Sequence, residues 1–359
     1  MREYVLAINP GSTSTKVALF KGTENVLQKN LNHSAEELAP FHKITDQYAY
    51  RRDMIAGWMT SEGYSPEQLK AVVGRGGLLK PMPSGTYEVT EALMADLRIG
   101  VQGEHASNLG GLIAHSIAEQ AGVPAYIVDP VAVDEFEPVA RISGMPEIKR
   151  RSLVHALNIR AVAFNVAKDL GRPMEELNLV MAHLGGGISI VPMKQGRIID
   201  ANNANEMGPF SPERTGGLPV GDLMKLCFSG QYTQEELKKK LVGKGGLVAY
   251  LGTNDAREVL QRIEAGDEQA RLVFDAMGYQ IAKEIGAMAT VLGGKADAVV
   301  LTGGVAYSKY LTDYITERVS FIAPVIIKPG EDEMWALNEG VLRVSSGQEQ
   351  AKIYEKEVF

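Results

Sequence analysis

The chain has 359 residues, of which 45% are hydrophobic and 23% charged, and a formal net charge of −7. This composition is typical of a globular protein with a large buried core, and the length favours two domains. The acidic balance argues against broad binding to nucleic acid or to an anionic membrane, because both depend on basic patches. No apolar run approaches the ~20 residues of a membrane span.

The cysteine and histidine content indicates the cellular compartment and the kind of metal site to expect. Cys227 is the only cysteine and cannot form an internal disulfide, and the N-terminus enters a strand pattern without a leader-like segment. We therefore expect a cytoplasmic protein. The six histidines show no paired ligand spacing, so a structural zinc site is not expected.

The first predicted element is a β-hairpin whose turn suits a phosphate. Residues 5–8 and 17–20 are short apolar runs, and Pro10-Gly11 between them signals a turn. Three hydroxyls and one ammonium of this segment would converge on a concave spot, which suits an anion with several acceptor oxygens. These groups belong to Ser12, Thr13, Ser14 and Lys16. On this segment alone, an ordinary polar hairpin with a solvated lysine is an equal alternative.

Two later segments repeat the pattern of a strand that runs into glycines. Residues 179–183 and 188–191 are predicted strands around a glycine turn, and the predicted strand 298–301 runs into another. The glycines, which let backbone approach a ligand closely, are Gly185, Gly186, Gly187, Gly303 and Gly304. Neither common phosphate fingerprint is present, so the hairpins themselves are the predicted phosphate-binding elements.

Helical patterns alternate with these strands. Helices are predicted at residues 91–97, 106–120, 148–168, 231–240 and 258–294, with a strand at 126–128 and a last helix from about Trp335. This alternation predicts an α/β layer fold. We expect one domain of residues 1–145 and a second of residues 146–339, with a ligand in the cleft between them. By fold analogy, and not from the pattern, residues 340–359 are expected to return to the first domain.

Seven short motifs follow one another along the chain in a characteristic order. They are Asn9 to Lys16, Gly74-Arg75-Gly76-Gly77, Glu104-His105 with Asn108, Asp129-Pro130, Arg150-Arg151 with His155, His183-Leu184-Gly185 and Arg214-Thr215-Gly216. In that order they resemble the acetate and butyrate kinase family, and the first hairpin resembles its butyrate kinase branch. The resemblance extends over nearly the whole chain. It implies two domains, each with a ribonuclease H-like βββαβαβα core, in the duplicated arrangement of actin-like ATPases around a nucleotide cleft.

The activity that the resemblance implies is reversible phosphoryl transfer between ATP and a short-chain carboxylate, which gives an acyl phosphate and ADP. It also implies Mg²⁺ as cofactor and a homodimer or higher homo-oligomer, with no nucleic acid or membrane partner. Because a carboxylate and a triphosphate are both anions, bringing them together requires cations. By resemblance Arg75 holds the substrate carboxylate, Arg214 bridges it to the moving phosphoryl group, and His155 donates a hydrogen bond to the transition state.

Other residues receive supporting roles from the same resemblance. Asp129 is not expected to act as a general base, since a carboxylate substrate with a pKa near ~4 is already ionised at neutral pH. It would orient the magnesium shell or the substrate arginine. The implied metal neighbours are Asn9 and Glu339, and the implied phosphate or nucleotide contacts are Ser12, Ser14, Lys16, His183, Gly185, Gly186, Gly187, Gly303 and Gly304.

The acyl pocket is expected at Gly77, His105 and Val154. The acetate branch tends to carry larger side chains at the first and last of these positions. More room favours a longer or branched acyl chain, but one methylene is worth only about 1–3 kcal/mol, so butyrate, isobutyrate and valerate cannot be ranked.

Two alternatives remain open at this point. A sugar-type kinase of the same superfamily would use Asp129 as a base and predicts a polar pocket instead of arginines and apolar side chains. A nucleotide-switched module without enzymatic turnover is the second, although no peptide-binding segment follows the ATPase-like part.

Overall fold

Two mixed β-sheets organise residues 2–358, which are the residues that the computed structural model describes. The strands are β1 Tyr4–Pro10, β2 Ser14–Lys21, β3 Glu24–Asn32, β4 Leu69–Arg75, β5 Thr86–Glu88, β6 Ala125–Val128, β7 Asn178–Leu184, β8 Ile188–Lys194, β9 Arg197–Ile198, β10 Ala298–Gly303, β11 Val325–Pro329 and β12 Lys352–Ile353. The helices are α1 Ala35–Leu38, α2 Tyr48–Ser61, α3 Glu91–Ile99, α4 Asn108–Ala121, α5 Ala156–Leu170, α6 Val220–Cys227, α7 Gln234–Leu241, α8 Gly246–Leu251, α9 Ala256–Glu264, α10 Glu268–Val291, α11 Lys309–Val319, α12 Glu333–Ser345 and α13 Tyr354–Glu357.

The first sheet has the order β12-β5-β6-β4-β1-β2-β3. β1, β2 and β3 pair antiparallel, whereas β4 pairs parallel with both β1 and β6. Strands β1 and β4 are buried along most of their length, because helices cover them. The second sheet has the order β11-β10-β7-β8-β9, with β7, β8 and β9 antiparallel and β10 parallel to β7 and β11.

Both sheets thus contain the same five-strand arrangement, β3-β2-β1-β4-β6 in one and β9-β8-β7-β10-β11 in the other. Three antiparallel strands followed by two parallel ones form a ribonuclease H-like core. The predicted two-domain α/β fold with a duplicated core is confirmed.

The chain divides into two units by its internal contacts. The first unit consists of the chain up to Asp134 together with the chain from Asp332 onward, and the second is Glu135–Glu331. The sequence prediction placed these borders at residues 145 and 340. Each unit has its own apolar core, built on Leu6 and Val72 in the first and on Val180 and Val299 in the second.

Two predicted helices differ from the structure. The helix predicted at 148–168 begins only at Ala156. Arg150 does not join it, because its backbone N–H donates to the carbonyl of Arg141 and its guanidinium donates to the carbonyls of Ala140 and Ala201. The helix predicted at 258–294 is two helices, α9 and α10. Asp267 separates the two helices: it is the N-cap of α10, and its Oδ1 accepts a hydrogen bond from the N–H of Ala270.

The other predicted elements lie close to their expected positions. Helices α3 and α4 and strand β6 match the predictions within two residues, and α7 starts after a capping box formed by Thr233 and Glu236. Within residues 2–358, no helix has the length and apolar character that crossing a bilayer requires.

Candidate active site

In the first unit, the predicted phosphate turn opens on a cavity of about 300 Å³. We call it the hairpin cavity. Six of its lining residues carry the chemistry: Asn9, Ser14, Lys16, Arg75, His105 and Glu333. Three strands (β1, β2 and β4), one helix (α12) and the loop before α4 therefore bring both signs of charge and several hydrogen-bonding groups to one place.

The sheet register explains how these residues meet. Antiparallel pairing of β1 and β2 puts Asn9 opposite Lys16. Strand β4 runs parallel to β1 and ends at Arg75, so its guanidinium emerges at the edge where β1 also ends. Glu333 is the first residue of α12, and its orientation is fixed because Asp332 caps that helix through the N–H of Trp335.

Glu333 connects two of the predicted residues. Its carboxylate forms an ion pair with Arg75 and accepts a hydrogen bond from the side-chain amide of Asn9. Both members of the ion pair are mostly shielded, with side-chain exposures of 13% for Arg75 and 20% for Glu333. A carboxylate and an amide side by side are hard-oxygen ligands, which is the chemistry that Mg²⁺ prefers.

His105 lies on the wall of the hairpin cavity. Its Nδ1 lies 2.8 Å from Ser107 Oγ, a contact that holds the ring in place. Burial lowers the pKa of His105, and the nearby Arg75 guanidinium lowers it further. The imidazole is therefore neutral at neutral pH and can donate a hydrogen bond without adding charge.

Asp129 directly follows β6, whose Val128 pairs with Arg75 across the sheet. The carboxylate is buried, with 2% exposure, and accepts a 2.7 Å hydrogen bond from the N–H of Gly85. Its φ of 38° is unusual for a residue with a side chain, so the surrounding structure holds it in a strained conformation. It does not line the hairpin cavity, whereas Val131 two residues later does.

The space beside Gly77 is filled. A Cβ at this position would lie 2.7 Å from Asn108 Cα and would overlap the side-chain oxygen of Asn108. That oxygen accepts a 2.8 Å hydrogen bond from the N–H of Leu78, so Asn108 cannot move aside cheaply. Glycine at this position therefore lets α4 approach the loop after β4, and the role of Gly77 in an acyl pocket stays a prediction. Val154 is buried at 4% exposure in the second unit.

In the second unit, the predicted glycine turns line a cavity of about 750 Å³. We call it the glycine cavity. Its residues include Gly185, Gly186, Asn254, Gly304, Tyr307 and Glu331. Strands β7 and β10 are parallel neighbours, with His183 opposite Thr302, so their terminal glycine turns lie at the same edge of the sheet. Three of the predicted phosphate or nucleotide contacts, Gly185, Gly186 and Gly304, therefore line one cavity.

His155 and His183 form a stacked pair, with ring centroids 4.1 Å apart. The Nδ1 of His155 lies 2.8 Å from Ser189 Oγ, and the Nδ1 of His183 lies 2.8 Å from Asn158 Oδ1. In each ring Nδ1 contacts a polar partner, so the orientation of the ring, and with it the direction of Nε2, is fixed. His155 itself is the N-cap of α5 and not a residue inside a helix.

Arg214 lies against the second hairpin. Its backbone N–H donates to Ser211 Oγ at 3.1 Å, and that hydroxyl donates to the carbonyl of Gly186 at 2.5 Å. A Cβ on Gly187 would lie 2.5 Å from Arg214 Cζ, so only glycine lets the guanidinium rest there. Burial lowers the pKa of Arg214, which nevertheless stays charged at any physiological pH.

Sequence reasoning proposed Glu339 where the structure brings Glu333 to Asn9. Both residues belong to α12, but Glu339 is not among the residues that line the hairpin cavity. The available signal was the acidic run Glu331-Asp332-Glu333 at the end of a strand, where a ligand-binding loop is common. Glu331, which lines the glycine cavity, belongs to the same run.

Comparisons with known proteins place these features in context. The sequence profile of the Acetokinase family matches residues 147–321. The chain is 56% identical over 355 residues to butyrate kinase 2 of Clostridium acetobutylicum, covering 99% of this chain and 100% of that protein. It is 55% identical over 350 residues to a probable butyrate kinase 2 of Caldanaerobacter subterraneus subsp. tengcongensis, covering 98% and 99%.

Among solved structures, an acetate kinase from Porphyromonas gingivalis superposes with a TM-score of 0.78 at 21% identity, covering 96% of this chain and 100% of that one. At this identity the likeness concerns the fold, and it agrees with the two ribonuclease H-like cores described above.

Proposed function

Because the chain belongs to the acetokinase family, we propose that it is a butyrate kinase, which transfers the γ-phosphoryl group of ATP to butyrate and also runs in reverse. The family that the sequence motifs indicated is confirmed. The observation that carries the proposal is the similarity to butyrate kinases along the whole chain, together with the hairpin cavity, where a guanidinium and an ammonium face one space.

In the hairpin cavity, Arg75 binds the substrate carboxylate and Lys16 the phosphoryl group. The planar guanidinium suits the two carboxylate oxygens, and the ammonium suits a phosphate as a point charge. Arg75 is paired with Glu333, so a substrate carboxylate would compete with that side chain for the guanidinium. Neutral His105 adds a hydrogen-bond donor without repelling the cations.

The carboxylate nucleophile requires no general base, because it is ionised at neutral pH. The buried Asp129 is proposed to hold the loop after β6 beside Arg75, in keeping with its hydrogen bond to Gly85. In the second unit, Arg214 and His155 are proposed to stabilise the charge on the transferring phosphoryl group. The guanidinium of Arg214 donates to the carbonyl of Ala204, and Nδ1 of His155 contacts Ser189 Oγ, so neighbouring polar groups orient both side chains.

The nucleotide is proposed to bind in the glycine cavity. Backbone at Gly185, Gly186 and Gly304 lines this space, and bare N–H groups without Cβ atoms suit phosphate oxygens. The exposed ring of Tyr307 and the amide of Asn254 line the same cavity and offer stacking and hydrogen bonding to the nucleoside.

Mg²⁺ fits the first unit through Asn9 and Glu333, which are in contact. Among residues 2–358 no three His, Cys, Asp or Glu side chains are grouped so that they could hold a metal ion, so Asn9 and Glu333 would act with water and phosphate oxygens. When bound, the ion neutralises charge on the transferring phosphate. We expect Glu333→Gln to raise the Mg²⁺ concentration needed for half-maximal activity about 10-fold, and Glu339→Gln to leave it unchanged. The reverse result would support Glu339.

A homodimer is proposed as the assembly. Helix α6 buries none of its residues, and Val220, Met224 and Phe228 on and beside it are 79%, 56% and 87% exposed. Sedimentation of the full chain at micromolar concentration would test this, and a monomer throughout the range would contradict it.

The experiment that tests the function is a hydroxamate assay for acyl phosphate with Mg-ATP and separate incubations of acetate, propionate, butyrate, isobutyrate and glycerol. We expect product with the four-carbon acids and less with acetate. No acyl phosphate from any acid, but ADP release with glycerol, would move the assignment to the hydroxyl kinases.

A further inference from the structure

Arg51 is a fully buried arginine directly behind the phosphate turn. It lies on α2 with 0% exposure, and its guanidinium donates to three backbone carbonyls of the turn. The acceptors are the carbonyls of Gly11 at 2.7 Å, Ser12 at 3.0 Å and Ser14 at 3.0 Å. Two of these residues, Gly11 and Ser14, also line the hairpin cavity. One side chain therefore holds the backbone of the turn from behind.

The guanidinium is itself held in a fixed orientation. Gln47, one turn earlier in the chain, accepts from both Nε at 3.0 Å and Nη2 at 2.7 Å. Nη1 also donates to Thr15 Oγ1 at 3.1 Å, and that hydroxyl lies 2.8 Å from His33 Nε2. Thr15 and His33 are buried, at 0% and 3% exposure. Arg51 is thus the centre of a buried polar network.

Among the described residues, Arg51 forms no ion pair, whereas its neighbour Arg52 pairs with Asp53. A buried cation with only neutral partners is unfavourable by itself. An anion on the other side of the turn would offset this cost, because a positive charge in a low-dielectric surrounding attracts it strongly.

The geometry also orients the turn. In a trans peptide the N–H points opposite to the C=O. Since the carbonyls of Gly11 and Ser12 face Arg51, the N–H groups of Ser12 and Thr13 point away from it. Carbonyl oxygens, which repel phosphate, are thereby held behind the turn, and its donors are left on the opposite side.

We propose that Arg51 is a positioning residue for phosphoryl binding: it fixes the turn of the first hairpin and adds an unneutralised positive charge behind it. The inference rests on the proposed function, because the ligand of the turn is the phosphoryl group of the acyl phosphate or of ATP. Arg51 acts through the turn backbone and does not touch the substrate.

The test compares three variants of the full chain: Arg51→Met, Arg51→Lys and Arg52→Met. For Arg51→Met we expect the KM for butyryl phosphate to rise about 10-fold and kcat to fall about 10-fold, because turn geometry and charge are both lost. Arg51→Lys retains the charge and should recover part of the KM. Arg52→Met, at the next position of the same helix, should behave like the wild type.

The dissociation constant of ADP distinguishes a specific role of Arg51 at the first hairpin from a general effect on the structure. If Arg51 acts on the first hairpin, ADP affinity, measured by calorimetry, stays within twofold in all three variants. A folded Arg51→Met protein with kinetics within twofold of wild type would overturn the inference. So would an equal loss of affinity for ADP and butyryl phosphate, which indicates general loosening.

If Arg51→Met does not fold, Gln47→Met decides, because it removes only the acceptor that orients the guanidinium. A KM for butyryl phosphate raised at least threefold would support the inference, and an unchanged KM would overturn it. If the wild type turned over no acyl phosphate, the proposed function would fail. The role of Arg51 would then be decided by calorimetric binding of inorganic phosphate to the wild type and Arg51→Met.

Discussion

The two hairpins occupy the same place in the two ribonuclease H-like cores but carry different chemical groups at their turns. The first, β1–β2, carries Lys16 beside its turn and has Arg51 buried behind it. The second, β7–β8, has a turn made of glycines, and Arg214 rests on one of them. The turn of the first core thus offers side-chain charge, whereas that of the second offers exposed backbone with one arginine against it.

This difference teaches that a duplicated fold repeats the position of a turn but not the chemical groups that the turn presents. In the first unit the cations come from separate elements, β2, β4 and α2, which meet at the turn. In the second unit the absence of Cβ atoms creates the space that the arginine fills. Loss of charge should therefore be most harmful in the first unit, and added bulk most harmful in the second.

The largest effect is expected from removing the carboxylate-binding cation. Arg75→Ala should lower kcat/KM for butyrate about 10³-fold, because it removes a charge-assisted, bidentate partner from a shielded site. Steady-state hydroxamate kinetics would measure this. Arg98→Ala, at an exposed position on α3, is the control. A loss below about tenfold would show that the carboxylate binds elsewhere.

Added bulk in the second hairpin should cause the next largest effect. Gly187→Ala places a Cβ where the guanidinium of Arg214 lies and should lower kcat about 10²-fold by displacing it. Gly217→Ala, in the loop that follows Arg214, is the control, since its Cβ would meet the backbone of Gly208 only at 3.8 Å. Equal losses in the two variants would contradict a specific role for the contact with Arg214.

Bulk at Gly77 should affect stability instead of acyl preference. Gly77→Ala should lower the free energy of unfolding by about 3 kcal/mol, because the Cβ overlaps Asn108. Gly57→Ala, on α2 with open space around it, should stabilise the protein by up to about 1 kcal/mol. Urea unfolding measures both. A stable Gly77→Ala protein that prefers acetate would support an acyl pocket at this position.

The smallest effect concerns the pH dependence of the network behind the first turn. Burial, and secondarily Arg51, lower the pKa of His33 from 6.5 to about 4. As the pH falls, the unfolded chain takes up the proton first. The contribution of neutral His33 to the free energy of unfolding is therefore fully present above pH 6.5 and is lost as the pH drops toward 4. Between pH 7 and pH 5 this loss amounts to about 2 kcal/mol.

His33→Gln should flatten this dependence, whereas His42→Gln, at an exposed position, should retain it. Urea unfolding at several pH values measures the difference. Parallel curves for His33→Gln and the wild type would contradict the burial of a neutral imidazole.

Most of the fold could be predicted from local sequence patterns. The three strand-to-glycine junctions are short, apolar and bounded by strong turn signals, and all three occur as predicted. The errors arose where a tertiary contact overrode periodicity. Residues 148–155 have a helical pattern, but the side chain and backbone of Arg150 bond to distant carbonyls instead.

The site was predictable as far as motifs reach. Asn9, Lys16, Arg75 and His105, to which the resemblance gave different roles, line one cavity. Glu333 was missed, because it lies far along the chain and only the folded structure brings it to Asn9. Arg51 was missed for a related reason: an arginine in a helix gives no sign in sequence that it is buried and bonded to carbonyls of another segment.

The discontinuity of the first unit has a consequence for protein synthesis. The second unit is a single stretch, Glu135–Glu331, whereas the first is completed only by the segment from Asp332 onward. That segment supplies α12, the edge strand β12 beside β5, and Tyr354, which is 1% exposed. On the ribosome, domains usually become complete in the order of the chain. Here the order is reversed: the nascent first unit must wait, with its sheet unfinished, until translation has passed through the whole of the second.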